Sequence, residues 1–110
     1  MKTVVVLNSE QMGNGSTELG QKILATFLRK CLVLRGLTCI VLYNGAVKLL
    51  APDSPVVTEL TQLHEAGVDI KPCGTCVEYY GLGGKLAVSP ASNMDEILRE
   101  LDAAEKVITL

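Results

Sequence analysis

Four cysteines, Cys31, Cys39, Cys73 and Cys76, are the side chains of this sequence best suited to covalent chemistry. Two of them bound the segment Cys73-Gly74-Thr75-Cys76. The thiolate is the nucleophile, so a reactive cysteine needs surroundings that favour the anion. The start of a helix offers them, through unpartnered N–H groups and the positive end of the macrodipole. Val68 to Lys71 reads as a strand closed by Pro72, and a short helix follows through Tyr80, ended by Gly81. Cys73 is therefore expected as an accessible thiolate at a strand-to-helix junction. Gly74 permits close backbone approach and an unusual φ. Thr75 can cap the helix or donate through its hydroxyl. Cys76 falls three residues on, where its sulfur can approach that of Cys73.

Three chemistries use such a pair. Disulfide exchange is one, but no Trp-Cys pair precedes the motif and no later cis-proline signature follows it. Zinc binding needs four ligands. Cys31 lies mid-helix, Cys39 mid-strand, and the single histidine, His64, on another helix, so neither a metal nor another cofactor is expected. The third is persulfide chemistry: a thiolate takes the outer sulfur of a donor persulfide, carries it and passes it on. Cys73 is the expected acceptor. Cys76 is either its resolver, releasing sulfide or selenide and leaving a disulfide, or a core residue of the short helix. A reading of another class is a non-catalytic regulatory subunit. Its pocket would hold a small ligand or a partner loop, with Cys73 and Cys76 as a redox latch.

The elements that must position these thiols alternate along the chain. Thr3 to Leu7 is a continuous apolar strand of the kind buried on both faces of a parallel sheet. Asn8 to Ser16 is a loop, and Ser16 is an N-cap with Glu18 in the first turn. Leu19, Ile23, Phe27, Cys31 and Leu34, widened by Leu24, Leu28 and Leu32, predict a helix with a broad buried face that Gly36 ends. Thr38 to Tyr43 is the second strand, and Ala46 to Ala51 forms one or two helical turns. Ser54-Pro55 caps and opens a helix that stops at Gly67. Beyond the cysteine segment, Lys85 to Ser89 is a fourth strand, Asn93 and Glu96 form a capping box, and Lys106 to Leu110 is the last strand.

This order predicts a three-layer α/β/α sandwich with a mainly parallel sheet of about five strands. Ligands of such sheets bind beyond the carboxyl ends of the strands, near the point where strand order reverses. Asn8, Ser9 and Asn44 fall there and are candidate pocket residues, with Gly74 and Thr75, beside Cys73. Cys31 and Cys39 are expected in the core, and His64 near the last carbonyls of its helix. Tyr79 and Tyr80 are expected to pack at a core or subunit boundary. Gly13 and Gly15 lack a Walker lysine and dinucleotide spacing, and read as a turn.

With 110 residues, the chain reads as one domain, 1–110. Apolar residues make up 48% and charged residues 20%, a globular composition. A net charge of −2 without a basic stripe argues against nucleic acid, and the lack of like-charge runs argues against a membrane surface. No export signal is visible, so a cytoplasmic location with reduced thiols is expected. A mean hydropathy of +0.33 in so short a chain predicts a homo-oligomer that buries apolar surface between subunits.

Four segments together resemble the DsrE-like family: Val5-Val6-Leu7-Asn8-Ser9 with Met12-Gly13 and Gly15, Leu42-Tyr43-Asn44 with Val47-Lys48-Leu49, Gly67-Val68 through Cys73-Gly74-Thr75-Cys76 to Tyr79-Tyr80-Gly81-Leu82, and Ser92-Asn93-Met94 with Glu96-Ile97. The resemblance spans essentially the whole chain. Within the family it is closest to the carboxy-terminal domain of the YedF-like selenium metabolism proteins. It implies a DsrE-like α/β fold, sulfur or selenium handling, oligomers, and a protein partner that donates or accepts the sulfur. In relay members a single cysteine after the third strand accepts a persulfide, and the matching position is Cys73, by its interval to Gly81. YedF-like proteins carry a preceding small domain with its own Cys-Pro motif, whereas this sequence opens at the DsrE-like domain. The resemblance thus implies an excised domain or one served by a separate donor.

Overall fold

β1 (Thr3–Leu7) is buried along its whole length. Its β-branched side chains suit the pleat, and burial on both faces is what a central parallel strand requires. The computed structural model, which describes residues 1–110, continues with α1 (Thr17–Lys30), β2 (Leu37–Leu42), α2 (Val57–Glu65), β3 (Asp69–Pro72), α3 (Gly74–Tyr79), α4 (Met94–Ala103) and β4 (Lys106–Thr109). Two 3₁₀ segments, Cys31–Val33 and Asn44–Leu50, link α1 to β2 and β2 to α2. The strand order is β3-β2-β1-β4, and every pair is parallel. Leu7 lies opposite Leu42, and Leu42 opposite Pro72, so three strands end flush at one edge of the sheet.

The period of two along each strand divides the core. Val5, Leu7, Ile40, Leu42 and Ile70 face Leu24 and Leu28 of α1, Leu60 and Leu63 of α2, and Leu49 and Leu50 of the 3₁₀ segment, within a cluster of 18 buried residues. Val4, Val6, Cys39 and Val41 face the other way and meet Cys73 and Ile97 in a cluster of six. The architecture is thus the expected α/β sandwich with a parallel sheet, but its second layer is thin. It depends on α4, whose Ile97 is the residue fully enclosed there.

The caps are partly as expected. Ser16 Oγ accepts the Leu19 N–H at 3.2 Å, and Asn93 Oδ1 accepts the Glu96 N–H at 2.9 Å. The return arm of the capping box is missing, because the Glu96 carboxylate accepts the Ser92 hydroxyl at 2.6 Å instead. α2 starts later than Ser54-Pro55 predicts: Ser54 Oγ accepts the Val56 N–H at 3.1 Å in a turn, and Val56 itself is not helical. The buried face of α1 is Gly20, Leu24 and Leu28, continued by Cys31. Leu19 and Ile23, expected in the core, lie on the flank and are exposed.

The sheet has four strands, not about five. Lys85 to Ser89 does not pair as a strand. Ser89 adopts a left-handed φ of 62°, and Pro90 has no N–H to give a ladder. What remains of a fifth strand is one parallel bridge, Cys73 to Ser92, at the outer side of β3.

Two expected outcomes follow from the thin layer. Ile97→Ala should lower the unfolding free energy by about 2–5 kcal/mol, whereas Arg99→Ala, exposed on the same helix, should stay within about 0.5 kcal/mol, both read by urea denaturation. Equal effects would mean that α4 does not seal this face. Cys39 offers a pH test. Burial, helped by the Glu100 carboxylate, pushes its thiol from 9.0 up to about 12. Between those values the unfolded chain binds fewer protons than the fold, so stability falls as pH rises. Wild type should lose up to about 1.4 kcal/mol per pH unit in this window beyond any loss in Cys39→Val, and parallel curves for the two proteins would contradict it.

Candidate functional site

The flush ends of β2 and β3 build the site. The Cys73 N–H donates to the Leu42 carbonyl at 2.8 Å, which carries the ladder one residue past β3. Cys73 is still extended, with φ −64° and ψ 124°, and the helix begins at the next residue. The remnant strand locks this junction from outside. Ser92 N–H donates to the Pro72 carbonyl at 2.7 Å, and Gly74 N–H to the Ser92 carbonyl at 3.0 Å. A Cβ on Gly74 would lie 2.6 Å from that carbonyl oxygen. Glycine is needed for the close approach, as expected, but its φ is not left-handed, so the expected unusual backbone is absent.

Cys73 differs from expectation in its access. Its side chain follows the strand alternation into the second core face, among Val4, Val6, Cys39, Val41 and Ile97, and the residue is 4% exposed. It makes no side-chain cap to α3. Cys76 is the more open thiol. It is half-buried and lines a cleft of about 360 Å³ with Asn44, Thr75, Tyr79 and Tyr80. Its Sγ accepts the Asn44 main-chain N–H at 3.0 Å. Burial raises this thiol above the ordinary range, the Asn44 N–H pulls it down, and the neighbouring Cys73 thiol adds to the rise.

Asn44 holds its N–H toward the sulfur in a left-handed conformation, φ 53°. Asparagine tolerates this region better than most residues. Its Oδ1 accepts the Tyr80 hydroxyl at 2.9 Å. The Lys48 ammonium stands 4.4 Å from the Tyr80 ring centroid and pairs with Glu10 at 3.5 Å. Tyr79 meets Tyr80 edge-on, with ring centroids 5.1 Å apart, and is 82% exposed. Only Tyr80 has a place against the core, so the boundary role expected for both tyrosines holds for one within the chain. This Glu10–Lys48–Tyr80–Asn44 chain was not predicted. The motif Leu42-Tyr43-Asn44 with Val47-Lys48 holds Asn44 and Lys48, but nothing in the sequence pairs them with Glu10 or Tyr80.

The other candidates lie apart. Asn8 and Ser9 follow β1 and do not line the cysteine cleft; Asn8 is exposed, and Ser9 Oγ accepts the Gln11 N–H at 3.3 Å. Strand order reverses between β1 and β4, while the cleft lies at β2 and β3, away from the reversal. Thr75 lines the cleft without a hydrogen bond from its hydroxyl. Gly13 and Gly15 form a turn, their carbonyls accepting the Gln11 side-chain amide at 3.1 and 3.4 Å. His64 is exposed in the last turn of α2 and borders a different, smaller cleft with Lys71 and Glu96. Cys31 and Cys39 are enclosed in the core, Cys31 donating to the Leu28 carbonyl at 3.4 Å, and burial raises both thiols. All four cysteines are free.

The arrangement places one buried and one cleft-facing thiol side by side, with a main-chain N–H on the outer sulfur. It can bind a negatively charged or polarised sulfur and can close a disulfide between neighbours. No helix is long and apolar enough to cross a membrane.

No protein-family model and no curated protein matches the chain. Solved structures do. The chain is similar to the ychN protein from E. coli, with 23% identity over 99% of this chain and 98% of that one, at a TM-score of 0.73. It is similar to MTH1491 from Methanobacterium thermoautotrophicum, a protein of unknown function, with 20% identity, coverage of 99% and 98%, and a TM-score of 0.75. BT1422 from Bacteroides thetaiotaomicron, also of unknown function, shows 23% identity, coverage of 99% and 95%, and a TM-score of 0.70. At these identities the likeness is one of fold, and the fold they share with this chain is the DsrE-like α/β sandwich.

Proposed function

We propose that this chain accepts and passes on persulfide-type sulfur, or selenium, on its Cys73/Cys76 pair, and that it works as a YedF-like member of the DsrE-like family with a separate donor or acceptor protein. The observation that carries this reading is the cleft-facing Cys76 sulfur, hydrogen-bonded by the Asn44 N–H and backed by a second thiol. Sulfane-sulfur transfer needs a reachable sulfur whose negative charge is held by a donor, and a thiol neighbour allows release. The shared fold supports the reading at the level of architecture. Four free cysteines fit a reducing compartment, so the proposed location is the cytoplasm.

A second reading has its own support. The raised Cys76 thiol favours the neutral form at neutral pH, which suits a regulatory subunit with a redox-sensitive pair better than a standing nucleophile. Under that reading the cleft holds a small ligand or a partner loop, and the exposed Tyr79 ring is part of the contact.

Incubation with a persulfide donor followed by intact mass tests sulfur transfer. Native protein should gain one sulfur atom or close the disulfide, and Cys73→Ala/Cys76→Ser should do neither. No change in native protein, or an adduct that persists in the double variant, rejects sulfur transfer. The exposed apolar side chains Leu19 and Ile23 on α1, Met94 and Leu98 on α4, and Val107 on the open edge strand β4 support the proposal of a homo-oligomer. Light scattering during size-exclusion chromatography should give a mass of at least two chains; a monomer at micromolar concentration would remove this part of the proposal.

A further inference from the structure

A donor arriving at the cleft meets Cys76 first. Cys76 lines the opening, while Cys73 is 4% exposed and enclosed by Val4, Val41 and Ile97. The Asn44 N–H to Cys76 Sγ bond, 3.0 Å long, strengthens as the sulfur gains negative charge. The same bond serves the thiolate before attack and the persulfide held afterwards. Its direction depends on the left-handed backbone of Asn44, and the Tyr80 hydroxyl, 2.9 Å from Asn44 Oδ1, fixes that residue from the side-chain end. Tyr80 is in turn held from the surface by Lys48 above its ring.

Resting on the sulfur-transfer reading, we infer that Cys76 is the receiving thiol and Cys73 the resolving thiol beneath it. The Asn44 main-chain N–H binds the reacting sulfur, and Tyr80 is a positioning residue that acts through Asn44. This inverts the order that the position of Cys73 along the sequence suggests. In the first step the Cys76 thiolate attacks the outer sulfur of a donor persulfide. A Cys76–sulfur bond forms, the donor sulfur–sulfur bond breaks, and its electron pair leaves with the donor thiolate. In the second step the Cys73 thiolate attacks Cys76 Sγ. A Cys73–Cys76 disulfide forms, and hydrosulfide leaves with the electron pair of the broken bond. The two thiols are oxidised by two electrons and the sulfane sulfur is reduced to sulfide. An external dithiol reductant restores the pair.

The test uses the full chain and glutathione persulfide, read by intact mass and fragmentation. With limiting donor, Cys73→Ala should keep one extra sulfur on Cys76, since nothing resolves it. Cys76→Ser should take up sulfur at least about tenfold more slowly than native protein. If Cys76→Ser is loaded at the native rate, the order is overturned while the sulfur reading stands. If neither native protein nor either single variant changes mass, both fall. Tyr80→Phe keeps the ring beside Tyr79 and under Lys48 but loses the hydroxyl. It should slow loading by roughly threefold to tenfold and move the pH midpoint of Cys76 alkylation upward. Of the titratable groups about the cleft, the variant removes the Tyr80 hydroxyl itself and leaves Cys73, Tyr79 and Lys48 in place. An unmoved midpoint with native loading would overturn the part assigned to Tyr80.

Discussion

The register between β2 and β3 is the constraint on which the site depends. Leu42 lies opposite Pro72, and the Leu42 carbonyl takes the Cys73 N–H at 2.8 Å. From that fixed point Asn44 is two residues beyond the end of β2 and Cys76 four beyond the end of β3, and the two meet at 3.0 Å. A slip of one residue would send Cys73 to the opposite face of the sheet and carry Cys76 away from the Asn44 N–H. Pro72 can end β3 because β3 is an edge strand with a single full ladder. Its carbonyl remains free to accept the Ser92 N–H, and so the remnant strand is held against the junction.

The change of period at this junction separates two thiols three residues apart. Cys73 is extended, so its side chain follows the alternation that buries Cys39 and Val41 on the same face. Cys76 belongs to a helical turn, and its direction follows the helix instead. One sulfur is therefore sealed beneath α4 and the other opens to the cleft, although both sit in one four-residue motif. A cysteine pair lying wholly within a strand or wholly within a longer helix would not be divided this way.

The parts of the fold set by local chemistry were legible in the sequence. β1 and β2 show as unbroken apolar blocks, and Ser16 and Asn93 show as caps because each carries a short side-chain acceptor just before a helical pattern. What failed turned on tertiary competition. Lys85 to Ser89 has strand composition, but its backbone bends away, with Lys85 N–H donating to the Leu82 carbonyl at 2.9 Å in a turn, Ala87 N–H donating to the distant Leu50 carbonyl at 2.8 Å, and Pro90 ending any ladder. Leu19 and Ile23 satisfy the helical period, yet α1 presents Leu24 and Leu28 to the sheet; a broad apolar stripe does not say which of its edges faces inward. The thiol pair and its place at the sheet edge were legible for the same reason as β1. The depth of Cys73 was not, because it is set by α4, more than twenty residues away in sequence.

Asn44 joins these points energetically. A left-handed residue other than glycine costs about 1–2 kcal/mol, and the cost is smaller for asparagine, whose side chain can hydrogen-bond locally. Against this stand the Tyr80 hydroxyl bond, worth about 0.5–1.5 kcal/mol net, and the Lys48–Tyr80 contact, worth about 0.5–1 kcal/mol at an exposed site. These magnitudes nearly balance. The direction of the Asn44 N–H toward the Cys76 sulfur is thus not guaranteed by the loop alone. It rests on a surface chain of contacts that begins at Glu10, whose ion pair with Lys48 is exposed and weak.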